Sequence, residues 1–391
     1  MAGPLAGIRV IDVTHMLAGP MATMMLADQG ADVIKVEPPR IGDPSRSRGR
    51  PIGMAPGFAM LGRNKRSVVI DLKQRRGVEL MHRLIATADL FVQNFRPGAA
   101  ERLGLGEPEL RRIRPDLVYV SISGFGDSGP LAHKRAYDPV IQAAAGVASI
   151  QGDRRSGRPH MVRVIVSDKV TALTAAQAMT AALFARQRTG QGQHVRLAML
   201  DAVISFLWPE EMDNYTYPDS DHFVRSNVRD LVYETADGYI TMAAVGDEEW
   251  RATCKALDHP EWLDDPRFRT QADRIANADA RFELSGEVLK TKTSAEWLAI
   301  LDREQVPCAP ILSPEQVIDD AQVRHNGLLV EYRHPLAGRT RQTRPAARFE
   351  ATPQEIRRPA PALGQDTDDV MKGLGVSAEE LAALRAAGVV A

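Results

Sequence analysis

The chain of 391 residues has few cysteines, almost no net charge and no long apolar run. Its two cysteines, Cys254 and Cys308, lack metal-like spacing, which fits a reducing compartment and argues against a disulfide scaffold. The 49 basic and 50 acidic residues nearly cancel, so no overall charge points to nucleic acid or an anionic membrane. No stretch of about 18 apolar residues occurs, and the first residues lack the pattern of a secretory signal. We therefore expect a soluble cytoplasmic protein without nucleic-acid or membrane partners.

The motifs of several enzyme classes are missing as well. The turn after the first strand-like segment reads THMLAGP, with one glycine where a dinucleotide-binding G-x-G-x-x-G motif needs three. No G-x-S-x-G elbow of a serine hydrolase, no H-E-x-x-H and no paired cysteines are present. The sequence shows no motif that would bind a flavin or a cofactor for radical chemistry. We therefore expect neither a metal nor a permanently bound cofactor.

An alternation of strand-like and helix-like segments fills the first 200 residues. Apolar, β-branched runs predict strands, and periodic runs with Pro or Gly at their ends predict helices. The strands are predicted at 8–13, 32–37, 67–72, 89–95 and 117–124, and the helices at 20–29 and 77–88. This alternation predicts the α/β class, with a Rossmann-like, mostly parallel sheet covered by helices on both faces.

The composition changes after residue 200, and this change predicts the domain organisation. We predict a large domain at 1–205, a polar linker at 206–230 and a smaller α/β domain at 231–323. Residues 324–391 are predicted to return to the large domain with little periodicity until a helix at 377–388, whose Ser377 and Glu380 form a capping box. A long irregular return of this kind is expected to wrap over another domain or a partner chain.

Basic residues cluster in three loops at predicted strand ends. Arginine and lysine beside helix N-termini bind phosphate well, so the clusters together suggest a polyphosphate ligand, although arginines also simply solvate surface loops. A glycine-rich loop at 121–130 is either a ligand contact or an ordinary turn. The clusters are Arg40, Arg46, Arg48 and Arg50; Lys73, Arg75 and Arg76; and Arg96 with Arg102.

Asp168 opens a long alanine-rich stretch that contains no other acid. The apolar segment Met161 to Val166 has strand character, Ser167 is a plausible N-cap, and the helix that follows ends at Gly190. Asp168 then lies at a strand-to-helix junction, where a carboxylate can cap the helix. Ligands also bind at the carboxyl ends of strands in α/β folds, so a catalytic role is the alternative, because a carboxylate can act as a nucleophile.

Several of these stretches resemble the class III CoA-transferase family, which includes formyl-CoA and carnitine CoA-transferases and the related α-methylacyl-CoA racemases. The likeness keeps family order across residues 7–202 and continues more weakly to 370. The resemblance implies an interlocked homodimer of ring-like subunits that acts on a CoA thioester and a carboxylic acid. The stretches include VIDVTHMLAGPMATMMLADQGADVIKVEPP, NKRSVVIDLK, LFVQNFRPGAAERLGLG, VYVSISGFGDSGP, RAYDPVIQAAAG and TGQGQHVRLAMLDA.

The same resemblance assigns site residues. It implies that Asp168 is the nucleophile, which forms an aspartyl-acyl anhydride and then an aspartyl-CoA thioester. The CoA site is implied at Met16, Leu17, Ala18, Leu72, Lys73, Asn94, Phe95, Arg96, Arg102, Arg135, Ala136, Tyr137 and Asp138. Some members carry an arginine directly after the IKVE strand, where this chain has Pro38 and Pro39, so Arg40 or Arg46 is expected to replace it.

Two reactions on this fold remain as alternatives, CoA transfer and racemisation. A racemase must exchange an α-proton between two acid/base groups, and racemases of this type show a G-H-D motif where this chain reads RAYDP. Tyr137 occupies the histidine position and is a poor base at neutral pH, which favours transfer. We expect succinyl-CoA as donor and a dicarboxylic acid as acceptor, with its distal carboxylate at the cluster from Arg46 to Arg50.

Overall fold

The computed structural model describes residues 3–47, 54–153, 156–210, 212–219, 230–244 and 246–391. By its internal contacts the chain divides into two compact units, Met1–Thr216 with Gly327–Ala391, and Tyr217–Asn326. The larger unit is thus built from both ends of the chain. The domain limits expected from composition stay predictions.

Six parallel strands form the central sheet of the larger unit, in the order β3-β2-β1-β4-β5-β6. This is the strand order of Rossmann folds, and its direction reverses between β1 and β4, so the loops after these two strands open a crevice at one edge. The predicted α/β class with a mostly parallel sheet is confirmed. The strands are β1 Arg9–Asp12, β2 Asp32–Glu37, β3 Lys65–Val69, β4 Leu90–Gln93, β5 Val118–Ser123 and β6 His194–Ala198.

Helices cover both faces of this sheet because successive strand residues point to opposite faces. Ile11 of β1 packs in one apolar cluster with α3 and α5, whereas its neighbour Val10 packs in a second cluster with α1 and α8. The helices of this part are α1 Ala18–Asp28, α2 Pro56–Leu61, α3 Arg75–Ile85, α4 Ala99–Arg102, α5 Glu107–Ile113, α6 Asp138–Ala144, α7 Val147–Ile150, α8 Val166–Thr189 and α9 Met199–Leu207.

One predicted strand is wrong. Residues 161–165 are irregular, and α8 already begins at Val166 with Ile165 as its N-cap, so Ser167 lies inside the helix. The segment resembles a strand in composition, but its Val162 pairs with a glutamine side chain, Gln142, instead of a neighbouring strand. Asp168 therefore follows a loop rather than a strand end.

The smaller unit is an antiparallel sheet of three strands packed against helices. Its core contains the tryptophans Trp250, Trp262 and Trp297 together with Phe268. The elements are β7 Tyr233–Glu234, β8 Tyr239–Met242, α10 Asp247–Ala256, α11 Gln271–Ala276, α12 Ala278–Leu289, α13 Ser294–Arg303, β9 Cys308–Pro310, α14 Pro314–Asp319 and α15 Ala321–His325.

The returning segment is more regular than its sequence predicts. It contains an antiparallel hairpin, β10 Leu329–His334 and β11 Gly338–Thr343, and the helices α16 Thr367–Gly373 and α17 Ala378–Ala386. It covers the open edge of β3, where the Ser67 N–H donates to Asp366 Oδ2 at 2.9 Å and the Asp366 N–H donates to the Ser67 carbonyl. Within the described residues, no helix is long and apolar enough to cross a membrane.

Candidate active site

A cavity of about 960 Å³ opens in the larger unit at the carboxyl ends of β1, β4 and β5. Its walls come from the loops that follow these strands, from the start of α6 and from the first turn of α8. The segments that line it most continuously are 15–18, 94–97, 122–124, 134–139 and 161–165, together with Asp168. The topology thus gathers five distant stretches of sequence at one place.

Asp168 lies half-buried in the first turn of α8 and borders this cavity. Burial, and then the charge of nearby Asp138, raise the pKa of Asp168 to about 6 from its usual value of 3.8, although the Ala18 N–H donates a hydrogen bond to its carboxylate. Within the described residues its carboxylate has no basic partner. The group is therefore ionised at neutral pH yet poorly neutralised, which suits a nucleophile.

Asp138 provides the cap of α8 from another helix. Its Oδ1 accepts hydrogen bonds from the N–H groups of Ser167 at 2.7 Å and Asp168 at 3.3 Å. These are amides of the first turn, which have no partner inside the helix. The Asp168 side chain makes no cap of its own, so its carboxylate stays available to the cavity. Asp138 therefore makes the capping hydrogen bonds, while Asp168 is the acidic residue of the first turn that the sequence predicts.

Gln142 of α6 connects this pair to the irregular segment before α8. Its Nε2 donates to Asp138 Oδ2 at 2.6 Å and to the Val162 carbonyl at 3.2 Å, and its Oε1 accepts the Val162 N–H at 3.0 Å. Gln142 is almost fully buried. One side chain therefore fixes the segment 161–165 relative to the carboxylates.

The loop after β1 forms the opposite wall. His15 and Asn94 exchange two hydrogen bonds of 2.9 Å, from the His15 N–H to Asn94 Oδ1 and from Asn94 Nδ2 to the His15 carbonyl. Met16 has a left-handed backbone with φ of 71°, which is strained for a residue with a side chain. Gly19 is required, since a Cβ there would lie 2.4 Å from the Thr14 Cβ.

Buried charges support this loop from below. Lys35 Nζ donates to the Thr14 carbonyl at 2.7 Å and lies 2.9 Å from Asp43 Oδ2, while Asp43 Oδ1 accepts the Met16 N–H at 3.4 Å. Although burial alone would lower the pKa of Lys35, the carboxylates of Asp12 and Asp43 raise it. Lys35 is thus charged, bound directly to the Thr14 carbonyl and linked through Asp43 to the Met16 amide.

The structure brings together most of the residues that the resemblance implies for CoA binding. Four of them are not part of the cavity wall. Arg40 and Lys73 are exposed, Leu72 packs half-buried against the core, and Arg102 is exposed at the end of α4. Those that do line it are Met16, Leu17, Ala18, Asn94, Phe95, Arg96, Arg135, Ala136, Tyr137 and Asp138.

The expectation that Arg46 binds a ligand is wrong. Its Nε and Nη2 hold both carboxylate oxygens of Glu37 at 2.7 and 2.6 Å, its Nη1 donates to the Pro361 carbonyl, and its guanidinium lies 3.9 Å from the centre of the Phe58 ring. This arginine is 4% exposed and fully engaged. Arg48 and Arg50 lie outside the described residues.

Sequence reasoning missed five polar residues of the cavity, namely His15, Ser45, Lys134, Gln142 and Arg163. His15 was within the turn THMLAGP, and burial lowers its pKa, so it is neutral at pH 7. Lys134 directly precedes the matched stretch RAYDP. Gln142 lies in the matched stretch RAYDPVIQAAAG, four residues after Asp138 on α6, so its spacing offered a signal. Nothing in the sequence signals the place of Arg163, because it depends on the loop before α8.

Known proteins match this chain along most of its length. The family model described as CoA-transferase family III matches residues 5–367. The mouse succinyl-CoA:glutarate CoA-transferase is 34% identical over 94% of this chain and 86% of its own length. An Escherichia coli formyl-CoA:oxalate CoA-transferase is 33% identical over 98% of this chain and 99% of its own.

Solved structures agree with these relatives. A CAIB/BAIF family protein from Brucella suis has 31% identity and a TM-score of 0.82, over 96% of this chain and all of that one. The Mycobacterium tuberculosis protein Rv3272 has the same identity and TM-score, over 94% of this chain and 98% of its own.

The sheet with its crevice and these matches together define an enzyme of the CoA-transferase class, which uses CoA thioesters as substrates. More specifically, the chain belongs to CoA-transferase family III. The resemblance expected from the sequence motifs is confirmed.

Proposed function

We propose that this protein transfers CoA between carboxylic acids with Asp168 as the covalent nucleophile. The observation that carries the proposal is its half-buried carboxylate, which borders the cavity with a raised pKa and receives one hydrogen bond, from the Ala18 N–H. A carboxylate that is ionised but weakly stabilised is a better nucleophile than one held in an ion pair.

The proposed reaction runs through two kinds of intermediate. An Asp168 oxygen attacks the thioester carbonyl carbon, the C–S bond breaks, and an aspartyl-acyl anhydride and CoA thiolate result. The thiolate attacks the aspartyl carbonyl, which releases the donor acid and leaves an aspartyl-CoA thioester. The acceptor carboxylate then attacks that thioester to give a second anhydride, and the thiolate takes its acyl group to restore Asp168.

Water must be kept from the anhydride for this route to conserve the thioester's free energy. Apolar side chains of Leu17, Ile122, Ile165 and Met199 line the cavity around Asp168. Backbone N–H groups of the loop that carries Ala18 are suited to stabilise the oxyanions that develop. Asp138 and Gln142 hold the nucleophile's helix start in place without occupying the carboxylate.

The proposed substrates are succinyl-CoA and a dicarboxylic acid of similar size. The mouse relative is named for succinyl-CoA and glutarate, and the bacterial relative for formyl-CoA and oxalate. An apolar Leu17 and a cavity of about 960 Å³ favour the larger acids. The proposed setting is a homodimer in the cytoplasm.

The test is an assay of the purified protein with succinyl-CoA and a panel of mono- and dicarboxylic acids, followed by mass spectrometry of the acyl-CoA products. We expect new acyl-CoA species, and a mass increase of the protein when it is incubated with donor alone. Both are absent from Asp168→Ala. Transfer that survives in Asp168→Ala contradicts the nucleophile.

Racemisation is tested in the same preparation. His15 lines the cavity with Asp168 and is neutral at pH 7, so one acid/base pair is present despite Tyr137. A racemase would exchange the α-proton of a 2-methylacyl-CoA in deuterated water. We expect no such exchange, and exchange without transfer overturns the proposed function.

A further inference from the structure

Four cations line the cavity, namely Arg96, Lys134, Arg135 and Arg163. All four are exposed, and within the described residues none makes a side-chain hydrogen bond or ion pair, but of the four only Arg163 lies on the irregular segment 161–165. Arg46, by contrast, is fully consumed by Glu37. A guanidinium without an acidic partner beside a ligand cavity is available for an anion.

The position of Arg163 is fixed relative to the nucleophile. The preceding residue, Val162, has both backbone polar groups bound to Gln142, and Gln142 is bound to Asp138, which holds the amides of Ser167 and Asp168. The Cα atoms of Arg163 and Asp168 are at most about 17 Å apart, since five residues extend about 3.4 Å each. The backbone that carries Arg163 is therefore tied to the helix start that carries Asp168.

The anionic group nearest the thioester carbonyl of the substrate is not a phosphate of CoA. The whole pantetheine arm separates the phosphates from the thioester, and the cations Arg96 and Arg135 come from other loops of the cavity. A dicarboxylic acyl group, in contrast, carries its second carboxylate only a few bonds from the thioester carbon. That carboxylate enters a cavity that already contains Asp138 and Asp168, so it needs a cation beside it.

We propose that Arg163 binds the distal carboxylate of dicarboxylic acyl groups and thereby selects them over monocarboxylic ones. This inference rests on the proposed CoA transfer at Asp168. A planar guanidinium can bind a carboxylate through two parallel hydrogen bonds, whereas a methyl group at the same place leaves the guanidinium without a partner. Arg163 is then a specificity residue that takes no part in the bond changes.

The experiment compares isotopically labelled acceptors of equal length that differ in the second carboxylate, succinate against butyrate, with unlabelled succinyl-CoA as donor, for the wild type, Arg163→Met and Arg163→Lys. We expect Arg163→Met to lower kcat/KM for succinate by about 10- to 100-fold, as for the loss of hydrogen bonds to a charged group. For butyrate it should change less than about threefold. Arg163→Lys should lie between, because it restores the charge without the paired donors.

Two controls accompany these variants. Arg333→Met removes an exposed arginine of β10 outside the cavity wall and should change neither acid. Arg96→Met removes a cavity arginine placed in the CoA site and should weaken both acids alike. Activity with butyrate also reports that Arg163→Met is folded.

The outcomes separate the two proposals. If the wild type transfers CoA to succinate and Arg163→Met affects both acids equally or neither, the role of Arg163 is wrong and the transfer stands. A wild type whose kcat/KM is equal for butyrate and succinate also shows that the role of Arg163 is wrong while the transfer stands. If the wild type transfers CoA to no acid at all, the proposed function itself fails.

Discussion

At the scale of single residues, the chemistry of the cavity depends on two carboxylates that the fold places together. Asp168 and Asp138 are 30 positions apart, yet Asp138 accepts the amide of Asp168 and raises the pKa of its carboxyl. The same residue therefore stabilises the helix start through hydrogen bonds and destabilises the charge of its neighbour. Such an arrangement would keep the proposed nucleophile reactive while the backbone beneath it is fixed.

A pH dependence follows from this pair. With its pKa raised to about 6, Asp168 is a carboxylate at pH 8 and becomes protonated as the pH falls, and a protonated acid cannot attack. We expect kcat/KM to be constant above about pH 7, half-maximal near pH 6 and about tenfold lower at pH 5. Initial rates with succinyl-CoA in constant ionic strength measure the profile.

Asp138→Asn is the matched control for this profile. It keeps an oxygen for the amides of Ser167 and Asp168 but removes the negative charge, so the midpoint should move below pH 6. The shift is partial, because burial is the larger cause of the raised pKa and remains. A midpoint that stays at pH 6 in Asp138→Asn, or an unchanged rate in the wild type down to pH 5, contradicts the argument.

Residue roles were predictable from sequence only where a motif carried them. The proposed role of Asp168 comes from its family stretch, whereas local spacing alone favoured a helix cap. The actual cap, Asp138, and its link to Val162 through Gln142 depend on contacts between segments 20 to 30 residues apart. Arg46 belongs to a basic loop cluster of the kind that binds phosphate, but its buried ion pair with Glu37 gives it a structural role instead.

At the scale of elements, the loop after β1 depends on charges buried in β2 and β3. Lys35 of β2 and Lys65 of β3 are fully buried, and each bonds a carboxylate and a backbone carbonyl of the loop or of α1. Buried charges of this kind stabilise only when every partner is present. The strained backbone of Met16 is held by this network and so presents the Ala18 N–H to Asp168.

We expect Lys35→Met to impair the loop as well as the fold. Removing one partner of a buried ion pair costs about 3–5 kcal/mol of unfolding free energy, because it leaves Asp43 uncompensated. The hydrogen bond from Ala18 lowers the pKa of Asp168, so its loss should move the acid midpoint of kcat/KM above pH 6. Denaturant unfolding and the pH profile measure the two effects.

Arg63→Met separates the two effects. Arg63 forms a buried pair of 2.6 Å with Asp28 outside the cavity wall, so its loss should destabilise the protein comparably and leave the midpoint at pH 6. Equal midpoints for Lys35→Met and Arg63→Met would refute the positioning role of Lys35.

Elements were predictable where they followed one period. Five of the six strands of the central sheet were placed within a few residues because parallel strands buried on both faces form short, β-branched apolar runs. The edge strand β6, which contains His194 and Arg196, was not predicted. The same composition at Met161 to Val166 gave a false strand, since no neighbouring backbone is available there to pair with it. The hairpin β10–β11 was missed because its arginines and Pro335 obscure the alternation of exposed and half-buried residues.

At the scale of the whole molecule, the returning segment covers the β3 edge of the central sheet in the larger unit. The returning segment pairs with β3 through Ser67 and Asp366 and adds Val390 beside Ile70, so the open edge of the sheet is covered. Exposed strand edges promote aggregation, and a covering segment removes that hazard. The other conspicuous surface is the outer face of α8, which nothing within the described residues covers at Leu173 and Phe184.

That face leads to the last prediction, which concerns the proposed homodimer. Leu173 and Phe184 are 57% and 61% exposed, and eleven residues are about three turns, so both lie on one side of α8. Burial of such side chains in a partner chain stabilises association by about 1.5–3 kcal/mol each. We therefore expect the wild type to sediment as a dimer at micromolar concentration and Phe184→Glu to shift it toward monomer.

The control for this prediction lies on the opposite face of the sheet. Arg112→Glu reverses an exposed charge on α5, which packs in the other apolar cluster, and should leave the sedimentation coefficient unchanged. Thermal unfolding of each variant shows whether the subunit itself remains intact. A wild type that sediments as a monomer, or a Phe184→Glu variant that stays dimeric, shows that α8 is not the interface, because a carboxylate buried there without a partner costs more than a dimer of this kind gains from one aromatic ring.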